Sequence, residues 1–513
     1  MGTSFHANQS VTSGRLSRRQ LLQAGGASML GLGTPGLVAA RVGGAPTGQM
    51  AKKSCIFILL CGGPSHLDTW DLKPGAPDEI RGPYKPIASS VPGMRISELH
   101  PRLSQLTQHF SLIRSMTHPG NISNHFDAMH NSLSGQAGAP ADAPYIGSTL
   151  SKMRPTERTM ASYVWLIKCV GDPVFCAPNI GTGGSLGVQY APLFVGSADN
   201  HPALPTFKAP DVFAERETAS RMHDRRALLE NIEQINASGQ RANWRELHQR
   251  GFDLATATGP RKAFDINLED VRLRDRYGRN PLGQNLLLAR RLVESGVGFV
   301  TVNGWTGPSP GQVGGGPPSS SWDMHGAEMG MGNAFGNGSY GMGWCLPVLD
   351  NALSTLLIDL RDRGMLDSTL VVVAGEFGRT PRINQNQGIP GRQHWPHCYS
   401  AILAGGGIRG GAVYGESDKI GAYVKDSPVR PQDFSATIYH ALGVPFESQV
   451  TKEGVSKPLS TGQPLLKLFG GPMASKQGFN PAFVALVLGL PAVPRVQPWL
   501  QCSWSPATSH GCW

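Results

Sequence analysis

Apolar residues in this chain fall into short unbroken runs alternating with helical stripes. "SCIFILLCGG", Ser54 to Gly63, is a continuous apolar run stopped by two glycines, as expected of a strand buried on both faces of a parallel sheet. "HPRLSQLTQHFSLIRSM" places Leu103, Leu106 and Phe110 at helical spacing and then leaves through a short apolar exit, which predicts a helix followed by a strand. "NHFDAMHNSLSG" predicts a helix opened by Asn124 and closed by Gly135. Leu288 to Trp305 repeats the helix, glycine stop and strand. Leu349, Leu353, Leu356, Leu357 and Leu360 lie on one side of a further helix that runs into the strand of "VVVAGEFGRTPR", Val371 to Arg382. "CYSAILAGGGIRGG" predicts a strand with a glycine turn, and "RPQDFSATIYHALGVP" a helix stopping at Gly443. This alternation is that of an α/β protein.

Three stretches depart from it. From about residue 211 to 259 the chain is strongly charged, with Leu228, Leu229, Ile232 and Ile235 on one expected apolar face, and reads as a helical insertion that packs over or covers a site. Thr306 to Gly343 is the most glycine-rich stretch and reads as a long loop, a length uncommon in compact domains unless the loop is functional or disordered. Beyond residue 468 periodicity ends, and residues 469–513 read as an irregular tail.

The amino terminus has its own character. "SRRQLL", Ser17 to Leu22, sets paired arginines before a glycine-rich apolar stretch ending "GLVAA", the pattern of a twin-arginine signal peptide over residues 1–40, followed by a linker at 41–52. The expectation is export by the twin-arginine machinery to the periplasm or cell envelope, with the folded part starting near residue 53. No later apolar run is long enough to span a bilayer. At 513 residues and 40% hydrophobic content the chain can bury a large core, and its 65 glycines and 40 prolines indicate long connections. The net charge of +10 is scattered rather than gathered in a basic stripe, so nucleic acid is not the expected partner. Eight cysteines without a C-x-x-C suggest neither a zinc ribbon nor a dithiol centre.

Histidines and carboxylates gather after the predicted strands: His66, Asp68 and Asp71; His118, His125, Asp127 and His130; Asp323 and His325; Glu376 with His394 and His397. Such groups at strand ends suit Zn, Mn or Fe and could activate water or polarise an ester. A phosphate-binding G-x-x-x-x-G-K-[ST] and a G-x-S-x-G elbow are both absent from the sequence.

Taken in order, "GGPSHLDTWDLKP", "WDMHG", "GEFGRTP", "GRQHWP" and "AGGGIRGGAVYGESD" resemble the bacterial family catalogued as domain of unknown function 1501, over residues 53–468. That family in turn resembles a divergent branch of the alkaline phosphatase and sulfatase superfamily. The resemblance implies a three-layer α/β/α sandwich with a mainly parallel central sheet, and a metal-dependent hydrolase of phosphate or sulfate esters. A divalent metal, Zn first with Mn or Ca as alternatives, would be held by Asp323, His325 and His394, with Asp68 (Asp71 as its rival) and Glu376 at a second position. Phe377 stands where the superfamily has a further metal-binding histidine. In the helix that carries the nucleophile, Asn124 or His125 occupies the reactive place, with Ser123 the nearest hydroxyl. His125 would ligate metal, transfer protons or accept a phosphoryl group, and Arg379 would pair an anionic substrate oxygen. The implied substrate is a small anionic ester or a sulfated or phosphorylated polymer. The alternative is a catalytically degenerate member that keeps the fold and a structural metal and binds a partner.

Overall fold

A computed structural model of the protein describes residues 52–470, apart from 121, 123, 158, 168–180, 211–218, 236–241, 257, 313–320 and 453–454. The segment expected to be a signal peptide, almost all of the expected linker, nearly all of the expected tail and the nucleophile candidate Ser123 therefore lie outside the described residues.

Eight strands form the central sheet: β1 Ser54–Leu59, β2 Phe110–Met116, β3 Tyr163–Leu166, β4 Leu193–Val195, β5 Phe299–Asn303, β6 Thr369–Ala374, β7 Tyr399–Ala404 and β8 Val413–Tyr414. Their order is β8-β2-β7-β6-β1-β5-β3-β4. Every neighbouring pair is parallel except those of β7, which runs against both β2 and β6. The first apolar run thus becomes the middle of the sheet, where Leu59 at its carboxyl end is flanked by Asn303 and Ala374.

Side chains of a strand alternate between faces, so a strand apolar throughout needs cover on both. Ile56 and Ile58 enter one core with Leu286 and Leu292 of α5 (Pro281–Glu294) and Leu349, Leu353 and Leu356 of α6 (Met342–Asp362). Cys55, Phe57 and Leu59 enter the other. There they meet Met129 and Leu133 of α1 (His125–Ser134), Leu150 of α2 (Ile146–Met153), and Phe434 and Ile438 of α7 (Pro431–Ala441). The result is helix layers on both faces of a mainly parallel sheet. Four described cysteines, Cys55, Cys61, Cys345 and Cys398, are free and buried. Among the described residues no helix is long and apolar enough to cross a membrane.

Two local expectations change. Phe110 opens β2 instead of extending a helical stripe, because Leu103–His109 winds as a 3₁₀ helix and ends one residue earlier. In the charged segment, helices α3 (Ala219–Ile235) and α4 (Ala242–Thr256) are tied by Arg226 to Asp253 at 3.1 Å. Leu228, expected on their apolar face, is 61% exposed and turns to solvent.

The 3₁₀ turn docks on α6 through Asp350, which accepts the Arg102 and Leu103 N–H groups at 3.0 and 2.7 Å. Burial pushes the Asp350 carboxyl up to about 7 and the neighbouring His100 imidazole down to about 3, so between those pH values they face each other, at 4.0 Å, mostly uncharged. His100 is stacked on Trp70, and neither of its ring nitrogens has a hydrogen-bond partner among the described residues. A histidine whose folded pKa lies below its unfolded value takes its proton only in the unfolded chain, so its stabilisation is complete above about pH 6.5 and falls as pH drops toward 3. Asp350 acts with the opposite sign, costing stability as pH rises from about 4 to 7. His100→Phe should therefore gain stability over the parent as the solution is acidified below pH 6.5, by up to about 1.4 kcal/mol per pH unit. Urea unfolding of both proteins at several pH values measures this, and a constant difference would refute it.

Candidate metal centre

The carboxyl edge of β1, β5 and β6 gathers the segments that carry chemistry. At the end of β1, Gly62 has a φ of +112°, and a Cβ there would lie 2.3 Å from the Asp323 backbone nitrogen. Only glycine lets the Trp322–Asp323 backbone pass so close. That segment is pinned by the Trp322 N–H on the Cys61 carbonyl at 3.1 Å and by the Trp322 indole on the Gly304 carbonyl at 2.8 Å. Asp323 and His325 are thereby set above the sheet. His394 arrives by another route, in a short antiparallel ribbon that pairs it with Arg379 and pairs Trp395 with Gly378. His125 is the first residue of α1, whose N-cap Asn124 accepts the Asp127 N–H at 2.8 Å and whose end is closed by Gly135 in the left-handed region.

His125, Asp323, His325 and His394 each offer one ligand atom, all within 4.8 Å of one another. His125 Nε2 lies 3.1 Å from Asp323 Oδ2 and 3.0 Å from His394 Nε2. Ligands bonded at 2.0–2.1 Å to a tetrahedral ion sit about 3.3 Å apart, so these separations suit a shared cation. The three imidazoles meet at steep angles, 79° between His125 and His394 and 71° between His325 and His394. Asp323, His125 and His325 are buried and His394 is partly exposed, so solvent reaches the cluster at His394.

Glu376 supports this cluster and is not among its four ligands. Its Oε1 accepts the Gly62 N–H at 2.8 Å and the His125 Nδ1–H at 2.6 Å. A carboxylate only accepts, so the proton of a neutral His125 sits on Nδ1 and the Nε2 lone pair faces Asp323 and His394. One proton cannot satisfy both, whereas a cation between them can. Burial alone would lower the His125 imidazole, but hydrogen bonds to Asp323 and Glu376 and their charges outweigh it and raise the pKa. Burial would raise the Asp323 carboxyl, but the Arg379 charge and the hydrogen bonds of His125 and His325 hold it well below the usual range.

Arg379 is used up inside the fold. It is fully buried, with Nε on the Gly63 carbonyl at 2.9 Å and one terminal nitrogen on Asp323 Oδ1 at 3.0 Å. It also donates to the Gly62 carbonyl, and to that of Arg392 at 3.1 Å. The expected pairing with a substrate oxygen gives way to holding Asp323. Asp68 is likewise placed elsewhere: it lies in the one-turn 3₁₀ helix His66–Asp68 and is gripped by Arg392, Nε to Oδ2 at 2.8 Å, both side chains wholly buried. Asp71 pairs with Lys73 at 3.0 Å. A second metal position built from Asp68 and Glu376 is thus not formed by these side chains. Arg392, which closes the Asp68 pair, was not among the sequence candidates; its signal was its place two residues before His394 in "GRQHWP".

Phe377 is wholly buried over Gly63, its ring 4.9 Å from that of His125 and 4.4 Å from that of His394. It walls the His125 and His394 imidazoles on one side. His118 donates from Nε2 to the Glu376 backbone carbonyl at 2.5 Å and stacks on Tyr399, and burial lowers its pKa to about 4. His130 bonds the Pro140 carbonyl at 2.8 Å, and His397 packs against Trp395 and Tyr423. Neither belongs to the cluster.

Fold and cluster together define an α/β protein with a histidine-rich, metal-competent centre at the carboxyl edge of its sheet. The chain belongs to the family described as "Protein of unknown function (DUF1501)", which matches residues 52–469. No curated protein matches it. Among solved structures it is similar to a phosphonate monoester hydrolase from Silicibacter pomeroyi, at 13% identity and TM-score 0.35, covering 83% of this chain and 78% of that one. It is also similar to the PsFucS1 sulfatase from Pseudoalteromonas sp., at 14% identity and TM-score 0.33, covering 77% and 68%. A third is the lipoteichoic acid synthase LtaP from Listeria monocytogenes, at 11% identity and TM-score 0.33, covering 80% and 75%. Identities and TM-scores this low transfer no function.

Two outcomes test these roles. If Glu376 orients His125 as a ligand, Glu376→Ala should weaken Zn²⁺ affinity about 10–100-fold, read by competition with a chromophoric chelator. Unchanged affinity would remove Glu376 from the site. Arg379→Ala should lower folding stability by about 3–5 kcal/mol, because it strands the buried Asp323 carboxylate; a loss under 1 kcal/mol in chemical denaturation would contradict that.

Proposed function

We propose that this protein is a metal-dependent hydrolase of phosphate or sulfate esters, with its ion held by His125, Asp323, His325 and His394. The observation that carries the reading is the convergence of those four ligand atoms within 4.8 Å, from three separate segments of the chain. Three imidazoles and one carboxylate fit Zn first and Mn or Fe next, whereas Ca prefers an all-oxygen set. Bound there, the ion would supply Lewis-acid polarisation of an ester oxygen and an activated water. The chain's own residues do the rest. Glu376 holds the proton on His125 Nδ1 and aims Nε2 into the site. Arg379 keeps Asp323 ionised and fixed. Phe377 closes the far side against water, leaving the partly exposed His394 edge for the ester to approach. The substrate class, a small anionic ester or a sulfated or phosphorylated polymer, follows from the superfamily resemblance of the motifs. Export by the twin-arginine pathway to the periplasm or cell envelope belongs to the same proposal and rests on "SRRQLL", Ser17 to Leu22.

One observation favours a second reading. Four protein ligands can complete a tetrahedral ion, as in structural zinc sites, whereas catalytic sites usually supply three and leave a position open. A member of this kind would keep the metal for stability and bind a partner. Metal analysis of the exported protein, followed by a screen of phosphate and sulfate esters, separates the two. The hydrolase reading expects bound divalent metal and turnover of at least one ester class. It also expects His394→Ala and Asp323→Ala to lower turnover by about 10²-fold or more while circular dichroism shows a folded chain. Metal that stabilises the fold with no ester turned over would establish the second reading instead.

A further inference from the structure

A cavity of about 670 Å³ lies one backbone segment from the metal centre. Its wall at Pro390 belongs to the stretch that runs against His325: the Arg392 N–H donates to the Met324 carbonyl at 2.6 Å, and a Cβ on Gly391 would lie 2.5 Å from the His325 carbonyl oxygen. Tyr84 and Phe335 form an aromatic corner in it, their ring centroids 6.2 Å apart and the Tyr84 hydroxyl bonded to the Phe335 carbonyl at 2.7 Å. Beneath that corner the buried Arg392 guanidinium lies 5.6 Å from the Phe335 ring and is anchored by Asp68 and the Ile80 carbonyl. The floor is therefore held rigidly before any ligand arrives.

Around this corner stand three cations, Lys73, Arg81 and Lys85, against one lining carboxylate, Asp78, which pairs with Arg81 at 2.7 Å. Lys73 pairs with Asp71, and Lys85 forms no ion pair among the described residues. Arg81 and Lys85 are exposed, and Lys73 is partly exposed. Exposed cations keep their water, so they suit several weakly held anionic groups better than one desolvated phosphate. Aromatic faces beside them suit the flat C–H face of a sugar ring. A cavity of this size is in the range that encloses a small ligand or a short stretch of polymer.

We propose that this cavity is a binding site for an anionic saccharide chain, with sulfate or carboxylate groups on Lys73 and Lys85 and a sugar ring against Tyr84 and Phe335. It rests on the proposed hydrolase reading only for its use as a substrate subsite; the binding stands without it. The experiment is titration calorimetry of the full chain with a short dextran sulfate, an oligogalacturonide and a neutral dextran of matched length. The proposal expects at least one anionic chain to bind, more weakly as salt is raised, and the neutral chain to bind at least tenfold more weakly. Preference between the two anionic chains tells sulfate from carboxylate recognition. Lys73→Gln with Lys85→Gln should lower affinity at least tenfold at low salt. Tyr84→Ala, checked for folding by circular dichroism, should lower it while leaving the salt dependence in place. Lys419→Gln with Lys467→Gln, both exposed and outside the cavity, should change affinity less than twofold, and an equal loss there would reduce the binding to net charge and overturn the proposal. Equal binding of neutral dextran, or no loss in the Lys73 and Lys85 variant, would overturn it as well. Calorimetry reads binding without turnover, so a chain that binds with no ester hydrolysed would sink the hydrolase reading alone, and hydrolysis without binding of any anionic chain would sink this one alone.

Discussion

Asp323 is a carboxylate with no access to water, and the centre is organised around keeping it charged. An ionised group in such a place is costly unless it is paired and hydrogen-bonded. Arg379 supplies the countercharge, and His125 and His325 complete the contacts. Arg379 is itself buried and holds the turn after β1 through the Gly62 and Gly63 carbonyls. The same carboxylate therefore ties together the end of β1, the glycine-rich loop and the ribbon after β6. Glu376 repeats the device one step away, bridging the Gly62 N–H and His125. The contacts of His125 with Asp323 and Glu376 close sequence distances of more than 190 residues.

The sheet was legible because strands buried on both faces run apolar without alternation, as β1 and β6 do after their first residues, Ser54 and Thr369. Helix α1 was legible at both ends because Asn124 and Gly135 are chemically suited to their caps. Phe110 misled because an apolar residue between a helical turn and a strand fits either period. Leu228 misled because a stripe in a sequence does not say what covers it. The antiparallel course of β7 could not be read from its composition, which matches that of a parallel strand buried on both faces.

At the site, His125, Asp323, His325 and His394 were all singled out from residue type and position after strands, and the fold brings them together. Roles were harder to read than membership. A carboxylate in sequence does not show whether it will face an ion or a guanidinium: Asp68 found Arg392, whose side chain crosses from a segment more than 300 residues away. Arg379 looked like a substrate ligand because arginines beside reactive carboxylates often are. Its burial, which no local pattern encodes, makes it a structural partner of Asp323. Phe377 was read as the loss of a ligand, and the fold adds that its ring lies against His125 and His394.

The role of the centre depends on whether the four side chains share an ion. X-ray absorption spectroscopy of the metal in the purified protein addresses that directly. The expected spectrum is a shell of nitrogen and oxygen near 2.0–2.1 Å with the outer scattering of imidazole, lost or reduced in His325→Ala. A protein free of divalent metal, a sulfur shell, or a spectrum unchanged by that substitution would contradict it.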